Sequence, residues 1–265
     1  QDMQLAFDAL LQRCEKDEGC QQRHPQLRAR WATYMGSLPR KFELRHPVTG
    51  RIESLDIRAK DVLGWVRPPL YVPALSAALP QAMEEAMAGR PQALFTLGAS
   101  MGSGKAGSLS MGMHFSVVCA EDYPRLPQLQ APTGTVFLAQ VREVYDKACA
   151  RWPKGQVDPA YYQIPAAQAP VLLLSGGADP VTPPVHAARA QKALGPKTVH
   201  LVAPNLGHGL MTSATCATDA IQQFISAESD TQALAVKASC LDQIPAPPDF
   251  IRPGHLAGQA RKETP

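Results

Sequence analysis

The sequence predicts an α/β fold, on three observations. Val171 to Leu174 is an unbroken apolar run bounded by Pro170 and by Gly176-Gly177, the signature of a strand buried on both faces of a parallel sheet. Val185 to Leu194 is alanine-rich and stops before Gly195-Pro196, a helix with its terminator. Thr198 to Val202 alternates apolar and polar residues as a second strand. A strand, a crossover helix and a second strand in so short a stretch make a parallel pair.

The rest of the chain reads mostly as helix. Gln4 to Cys14 carries Leu5, Ala9 and Leu10 at helical spacing, with Phe7, Leu11 and Cys14 close by, and Pro25 to Met35 continues in the same style. Lys41 to Ile57 changes character. Apolar and polar residues alternate on both sides of HPVTG, which predicts a β-hairpin. Asp61 is expected to cap a helix through Trp65, and RPPLY to break it. Pro73 to Ala88 is predicted helical with Gly89 as its stop, and its Met and Leu positions as core. Helices are also predicted over Gly134–Trp152, Ala214–Ser226 and Thr231–Val236, with a proline-containing linker from Val157 to Ala169. The proline-rich end, QIPAPPDFIRPG, is expected to lie as an extended strap, and Gly258 to Pro265 to be disordered.

Two side chains carry the chemistry. Asp179 and His208 each follow the carboxyl end of a predicted strand, where open α/β sheets gather their catalytic groups. Neighbouring parallel strands lie about 4.8 Å apart, so the two loop tips converge. A carboxylate that accepts the Nδ1 proton of a histidine sets its tautomer and leaves Nε2 to act as the base. Taken singly, an Asp in a turn is ordinarily a turn residue and a loop His an ordinary polar group. Strand, acid, helix, strand and histidine in that order form a far more specific pattern, and glycines on both sides of His208 let the backbone enter a crowded site.

The stretch PVLLLSGGADPVTPPVHAARAQKALGPKTVHLVAPNLGHG resembles the C-terminal catalytic half of the α/β-hydrolases, whose order is nucleophile, acid, histidine. More narrowly, the acid loop GGADPVTPP, the GHG loop, VVCAED and CARWP resemble the bacterial tripeptidyl-aminopeptidase-like branch of the prolyl aminopeptidase relatives. The resemblance implies Asp179 as the triad acid and His208 as the triad base. It also implies a partial α/β-hydrolase fold. Residues 1–165 would be a mostly helical cap with a β-hairpin, 166–250 the C-terminal part of the core, and 251–265 a proline-rich, disordered tail.

The nucleophile is a separate question. Gly98 to Gly102, GASMG, matches G-x-S-x-G around Ser100, and ALFTL before it passes as a strand. Yet SGKAGSLSMG follows where the elbow needs a helix, and no βαβ unit surrounds it. Ser100 is therefore not assigned as the nucleophile. SGKAG also lacks the order of a phosphate-binding loop. The chain opens on QDMQ, with neither an initiator methionine nor a signal peptide, and its first segment is already an amphipathic helix. The expectation is a piece of a longer protein, with the nucleophile and the first strands of the sheet upstream of Gln1.

In GMHFSVVCAED an apolar run ends in Glu121 and Asp122. A solvated acidic turn is the plain reading. The resemblance offers another: cap carboxylates near such a segment hold the substrate's ammonium group, through charge-assisted hydrogen bonds, with Glu121 ahead of Asp122. His114 reads as a buried structural histidine and Trp152 as packing.

A net charge of +3, scattered along the chain, makes no case for nucleic acid or an anionic membrane as partner. No apolar stretch approaches the roughly 20 residues that span a bilayer. The six cysteines, Cys14, Cys20, Cys119, Cys149, Cys216 and Cys240, permit fifteen connectivities, or remain buried thiols. Sequential pairing closes the shortest loops and is the layout that the resemblance implies, which points to the periplasm or the cell exterior. No cysteine–histidine cluster has zinc-like spacing, and no cofactor is called for.

The function implied is that of a serine hydrolase, foremost an exopeptidase on short peptides with a free amino terminus. An esterase or lactonase on the same scaffold and a non-catalytic hydrolase-like binding protein are the rival readings.

Overall fold

The computed structural model describes residues 1–100, 110–128, 136–209 and 214–250. The chain divides into two compact units, one of Ala6–Ser103 with Pro245–Pro265 and one of Gln1–Leu5 with Gly104–Ile244. The mixture of helices with parallel and antiparallel strand pairs is that of an α/β protein.

In the first of these units, which takes α1 (Asp2–Lys16) from Ala6 onward, that helix buries Phe7, Leu10, Leu11 and Cys14 along one stripe. Helix α2 (Glu18–Arg23) starts at Asp17, whose carboxylate accepts from the Cys20 N–H at 2.7 Å. Helix α3 (Leu27–Gly36) buries Leu27, Trp31 and Tyr34. The expected hairpin is present as β1 (Arg40–Arg45) and β2 (Ile52–Ile57), antiparallel and in register from Arg40↔Ile57 to Arg45↔Ile52. Leu44 and Ile57 are its buried positions.

Helix α4 spans Ala59–Val66, so Asp61 lies within its first turn instead of capping it. The Asp61 carboxylate instead reaches back to accept from the Arg58 backbone N–H at 2.8 Å. Pro68–Tyr71 form the expected break as a tight helical turn. The single helix expected over Pro73–Ala88 is two, α5 (Pro73–Ser76) and α6 (Leu79–Met87). The prolines explain the split, since Pro80 suits a first helical turn but not a helix interior. Leu79 and Met83 are fully buried, as core positions should be.

ALFTL is not a strand. It lies within α7 (Gln92–Ser100). A Cβ on Gly98 would come within 2.6 Å of the Trp65 Cα, so this glycine is what lets α7 pack closely on α4.

In the other unit, α8 (Met111–Glu121) and α9 (Val136–Cys149) are joined by the Cys119–Cys149 disulfide, with Cα atoms 5.1 Å apart. Strand β3 (Val171–Gly176), helix α10 (Pro184–Leu194) and strand β4 (Thr198–Ala203) follow in the predicted order. The strands are parallel, in register from Val171↔Thr198 to Gly176↔Ala203. Val171 to Leu174 are only half-buried, against the expectation of burial on both faces, because β4 is the one strand that pairs with β3 among the described residues.

Helices α11 (Thr215–Ile225) and α12 (Asp230–Leu234) complete the unit. Ala203, Ala217 and Leu241 form a small core under the end of β4, with Leu174, Leu201 and Leu206 packed against it. The Cys216–Cys240 bridge ties α11 to the turn that carries Leu241. With Cys14–Cys20, the three disulfides follow the sequential pairing and belong in an oxidising environment. No helix among the described residues is long and apolar enough to cross a membrane. Residues 251–265, expected to be a disordered tail, lie outside the described residues.

Candidate active site

The site forms where β3 and β4 end. Both strands lead into loops that must touch for their side chains to meet, and Gly176 and Gly177 allow it. A Cβ on Gly176 would come within 2.5 Å of the Leu206 carbonyl oxygen, and one on Gly177 within 2.7 Å of the Pro204 Cα. Only glycine lets two backbones approach this closely. Two backbone hydrogen bonds then join the loops. Gly177 N–H donates to the Ala203 carbonyl at 2.8 Å and Ala178 N–H to that of Leu206 at 2.9 Å. Asn205 anchors the second loop from below, its side-chain amide donating to the Ile244 carbonyl at 2.8 Å.

This contact brings the two predicted residues together. His208 Nδ1 lies 2.9 Å from Asp179 Oδ2. The Asp179 side chain is 5% exposed and that of His208 41%, so the carboxylate is enclosed while the ring faces outward. Asp179 Oδ1 accepts from the backbone N–H groups of Val181 and Thr182, at 2.8 and 2.9 Å. Oδ2 also accepts from the Thr182 hydroxyl at 2.8 Å. Burial alone would raise the Asp179 pKa. The hydrogen bonds from Thr182, Val181 and the His208 ring outweigh it and hold the carboxyl below its ordinary value. The group is an anion set against an imidazole, with the ring's Nδ1 turned to it.

Thr182 is the residue that sequence reasoning missed. Its signal was its place three residues after Asp179, where Asx-type turns return donors to the carboxylate. Further back on the strands, His200 Nε2 sits 2.9 Å from Ser175 Oγ, and burial lowers the His200 pKa. This neutral cross-strand pair braces β3 and β4 behind the site.

The predicted acidic pair is at the end of α8. Glu121 is its last residue, half-buried, and its Oε2 accepts from the Tyr161 hydroxyl at 2.6 Å. The Tyr162 hydroxyl donates to the Glu121 carbonyl at 2.7 Å. The Arg125 guanidinium lies over the Tyr162 ring, 4.3 Å from its centroid. Hydrogen bonding to Glu121, with the Asp122 charge behind it, pushes the Tyr161 phenol up. Asp122 is exposed. His114, expected to be buried, is half-buried. Its Nε2 lies 2.9 Å from the Tyr145 hydroxyl. Trp152 packs on Phe115 with ring centroids 5.3 Å apart.

Ser100 stands at the end of a helix, not at a strand-to-helix turn. Residues 101–109, the rest of GASMG and its glycine-rich continuation, lie outside the described residues. No group of three or more His, Cys, Asp or Glu side chains able to hold a metal ion occurs among the described residues.

Comparison with known proteins adds one finding. Residues 135–232 match the family model described as TAP-like protein, which covers β3, β4, Asp179 and His208. No curated protein and no solved structure matches the chain.

Proposed function

We propose that this chain, whose residues 135–232 match the TAP-like family model, carries the cap region and the C-terminal catalytic part of a serine hydrolase. Its substrates are short peptides with a free amino terminus. The observation that carries the reading is the 2.9 Å contact between Asp179 Oδ2 and His208 Nδ1, built on an enclosed carboxylate and an outward-facing ring.

The mechanism is two-step acyl transfer. A serine hydroxyl attacks the substrate carbonyl and its proton passes to His208 Nε2. The same proton goes to the leaving amine, and water then repeats the sequence on the acyl-enzyme. Asp179 steadies the imidazolium formed at each step. Glu121, with Asp122 beside it, holds the substrate's ammonium group, and Tyr161 aims the Glu121 carboxylate.

The nucleophile is supplied by chain outside residues 1–265, together with the strands that continue the sheet beside β3. Two observations support this. Ser100 ends a helix, where the elbow requires a strand before the serine. Val171 to Leu174, four apolar residues in a row, are half-exposed although such a run suits a central strand. Residues 1–165 are then the cap region and 166–250 the end of the hydrolase core. Three disulfides fit a periplasmic or extracellular setting.

The test is labelling by a fluorophosphonate probe. The full-length protein should label at a serine outside residues 1–265, and His208→Ala should abolish labelling. A full-length protein that does not label would overturn the hydrolase reading. Stoichiometric labelling of Ser100 would overturn the position of the nucleophile.

A further inference from the structure

We propose that the Cys216–Cys240 disulfide is a maturation switch for the site: closing it seats the turn beneath the histidine loop and, through Asn205, sets His208 against Asp179. The proposal rests on the acid–base reading above and adds the condition under which the couple forms.

The three bridges differ in their access to solvent. Cys14, Cys20, Cys119 and Cys149 are buried, at most 4% exposed. Cys216 is half-buried and Cys240 is exposed. Thiol–disulfide exchange requires a thiolate to reach a sulfur. The Cys216–Cys240 pair is therefore the one that a thiol or disulfide in solution meets first.

What this bridge ties down lies against the histidine loop. Cys240 precedes Leu241, which is buried with Ala203 and Ala217. Ala203 ends β4, and its carbonyl accepts from the Gly177 N–H at 2.8 Å and from the Leu206 N–H at 3.2 Å. Three residues past Leu241, the Ile244 carbonyl accepts from the Asn205 side-chain amide at 2.8 Å. Asn205 stands three residues before His208. The turn thus meets the loop twice, at its start through Leu241 and at Asn205 through Ile244.

The turn itself, Ser239–Gln243, is a short 3₁₀ helix. Its own backbone bonds are Leu241 N–H to the Ala238 carbonyl at 3.0 Å, and Ile244 N–H to that of Leu241 at 3.4 Å. So short a helix has little hold on its own shape. Cys216 and Cys240 are 24 residues apart, and opening their bridge gives that segment back its chain freedom. The Asn205 amide then loses a fixed acceptor, and the loop that carries His208 loses its support.

Closure consumes two thiols and a disulfide oxidant. One cysteine thiolate attacks the oxidant's S–S bond, forming a mixed disulfide and releasing one thiol. The other cysteine attacks the protein sulfur of the mixed disulfide, forming Cys216–Cys240 and releasing the second thiol. Two electrons and two protons pass from the cysteines to the oxidant. A reduced chain therefore carries Asp179 and His208 without their contact, and the site matures where disulfides form.

The experiment treats the folded full-length protein with rising amounts of dithiothreitol. Alkylation and mass spectrometry read which pair has opened. Fluorophosphonate labelling and the ¹⁵N signals of the His208 ring read the couple, and near-ultraviolet circular dichroism reads the fold. Cys216–Cys240 should open first. As it opens, labelling should slow about 100-fold, the scale of a 1 Å misplacement, the His208 signals should shift, and reoxidation should restore both. Asn205→Ala with the bridge closed should lower kcat about 10-fold or more with KM nearly constant. Opening the bridge in that variant should cost less than in wild type, because both changes cut one path. Unchanged His208 signals with Cys216 and Cys240 reduced would overturn the proposal. So would losses that multiply in full, or a loss of the whole circular dichroism signal, which marks general unfolding. A protein that never labels, even fully oxidised, would overturn the hydrolase reading alone, and the His208 signals would still decide the role of the bridge.

Discussion

Gly177 and Pro204 approach so closely that any side chain on Gly177 would meet the Pro204 backbone, its Cα within 2.7 Å. This contact is where the acid loop and the histidine loop join. The Gly177 N–H to Ala203 carbonyl bond, 2.8 Å long, runs beside it. The distance between Asp179 and His208 is therefore set by a backbone contact between residues that have no catalytic chemistry of their own.

Gly177→Ala should separate the two loops. An added methyl group in a closed contact costs about 1–3 kcal/mol, and the couple loses its 2.9 Å bond. The variant is expected to unfold at lower denaturant concentration and, in the full-length protein, to lose most of the turnover. Unchanged stability with full activity would show that the loops have room to spare.

In the full-length protein, Asp179→Asn should lower kcat on the order of 10³–10⁴-fold, the scale on which a histidine held in the wrong tautomer is felt. The same residue makes a prediction about acid stability. Its carboxyl is held below the ordinary value in the folded chain. Its contribution to stability is therefore fully present above the unfolded value, about pH 4. It fades as the pH falls through the lower folded value. Urea unfolding of wild type and Asp179→Asn should accordingly differ most near neutrality and converge in acid. A gap that stayed constant down to about pH 2 would contradict the sign of the shift.

Glu121→Gln keeps the shape of the side chain and removes its charge. Losing a charge-assisted hydrogen bond, worth about 1.5–3 kcal/mol, should cut kcat/KM of the full-length protein on free-amine peptides about 10- to 100-fold. Acetylated peptides and simple esters should be spared. An equal fall on all substrates would mean that Glu121 supports the fold through its Tyr161 contact and does not anchor an ammonium group.

Much of this molecule was legible in its sequence. The β3–α10–β4 unit was readable because its patterns are local: an apolar run between breakers, an alanine-rich helix closed by glycine and proline, an alternating strand. Asp179 and His208 were readable because the ends of parallel neighbours share one edge. The disulfide pairing followed the shortest loops. The hairpin followed its alternation and its turn residues.

What tertiary structure alone decided lies in contacts that no local pattern encodes. ALFTL has the composition of a strand, yet it lies in a helix whose Gly98 packs closely against Trp65. Val171 to Leu174 read as a buried strand, but burial depends on how many neighbours a strand finds, and only β4 lies beside it among the described residues. Thr182 went unread in the sequence, and only the folded loops bring its hydroxyl to Asp179 and within 3.4 Å of His208. Sequence determines which residue types stand at the strand ends. The close approach of two glycine-lined backbones decides that they meet, because hydrogen bonding acts over a few ångströms and only the packed chain sets such distances.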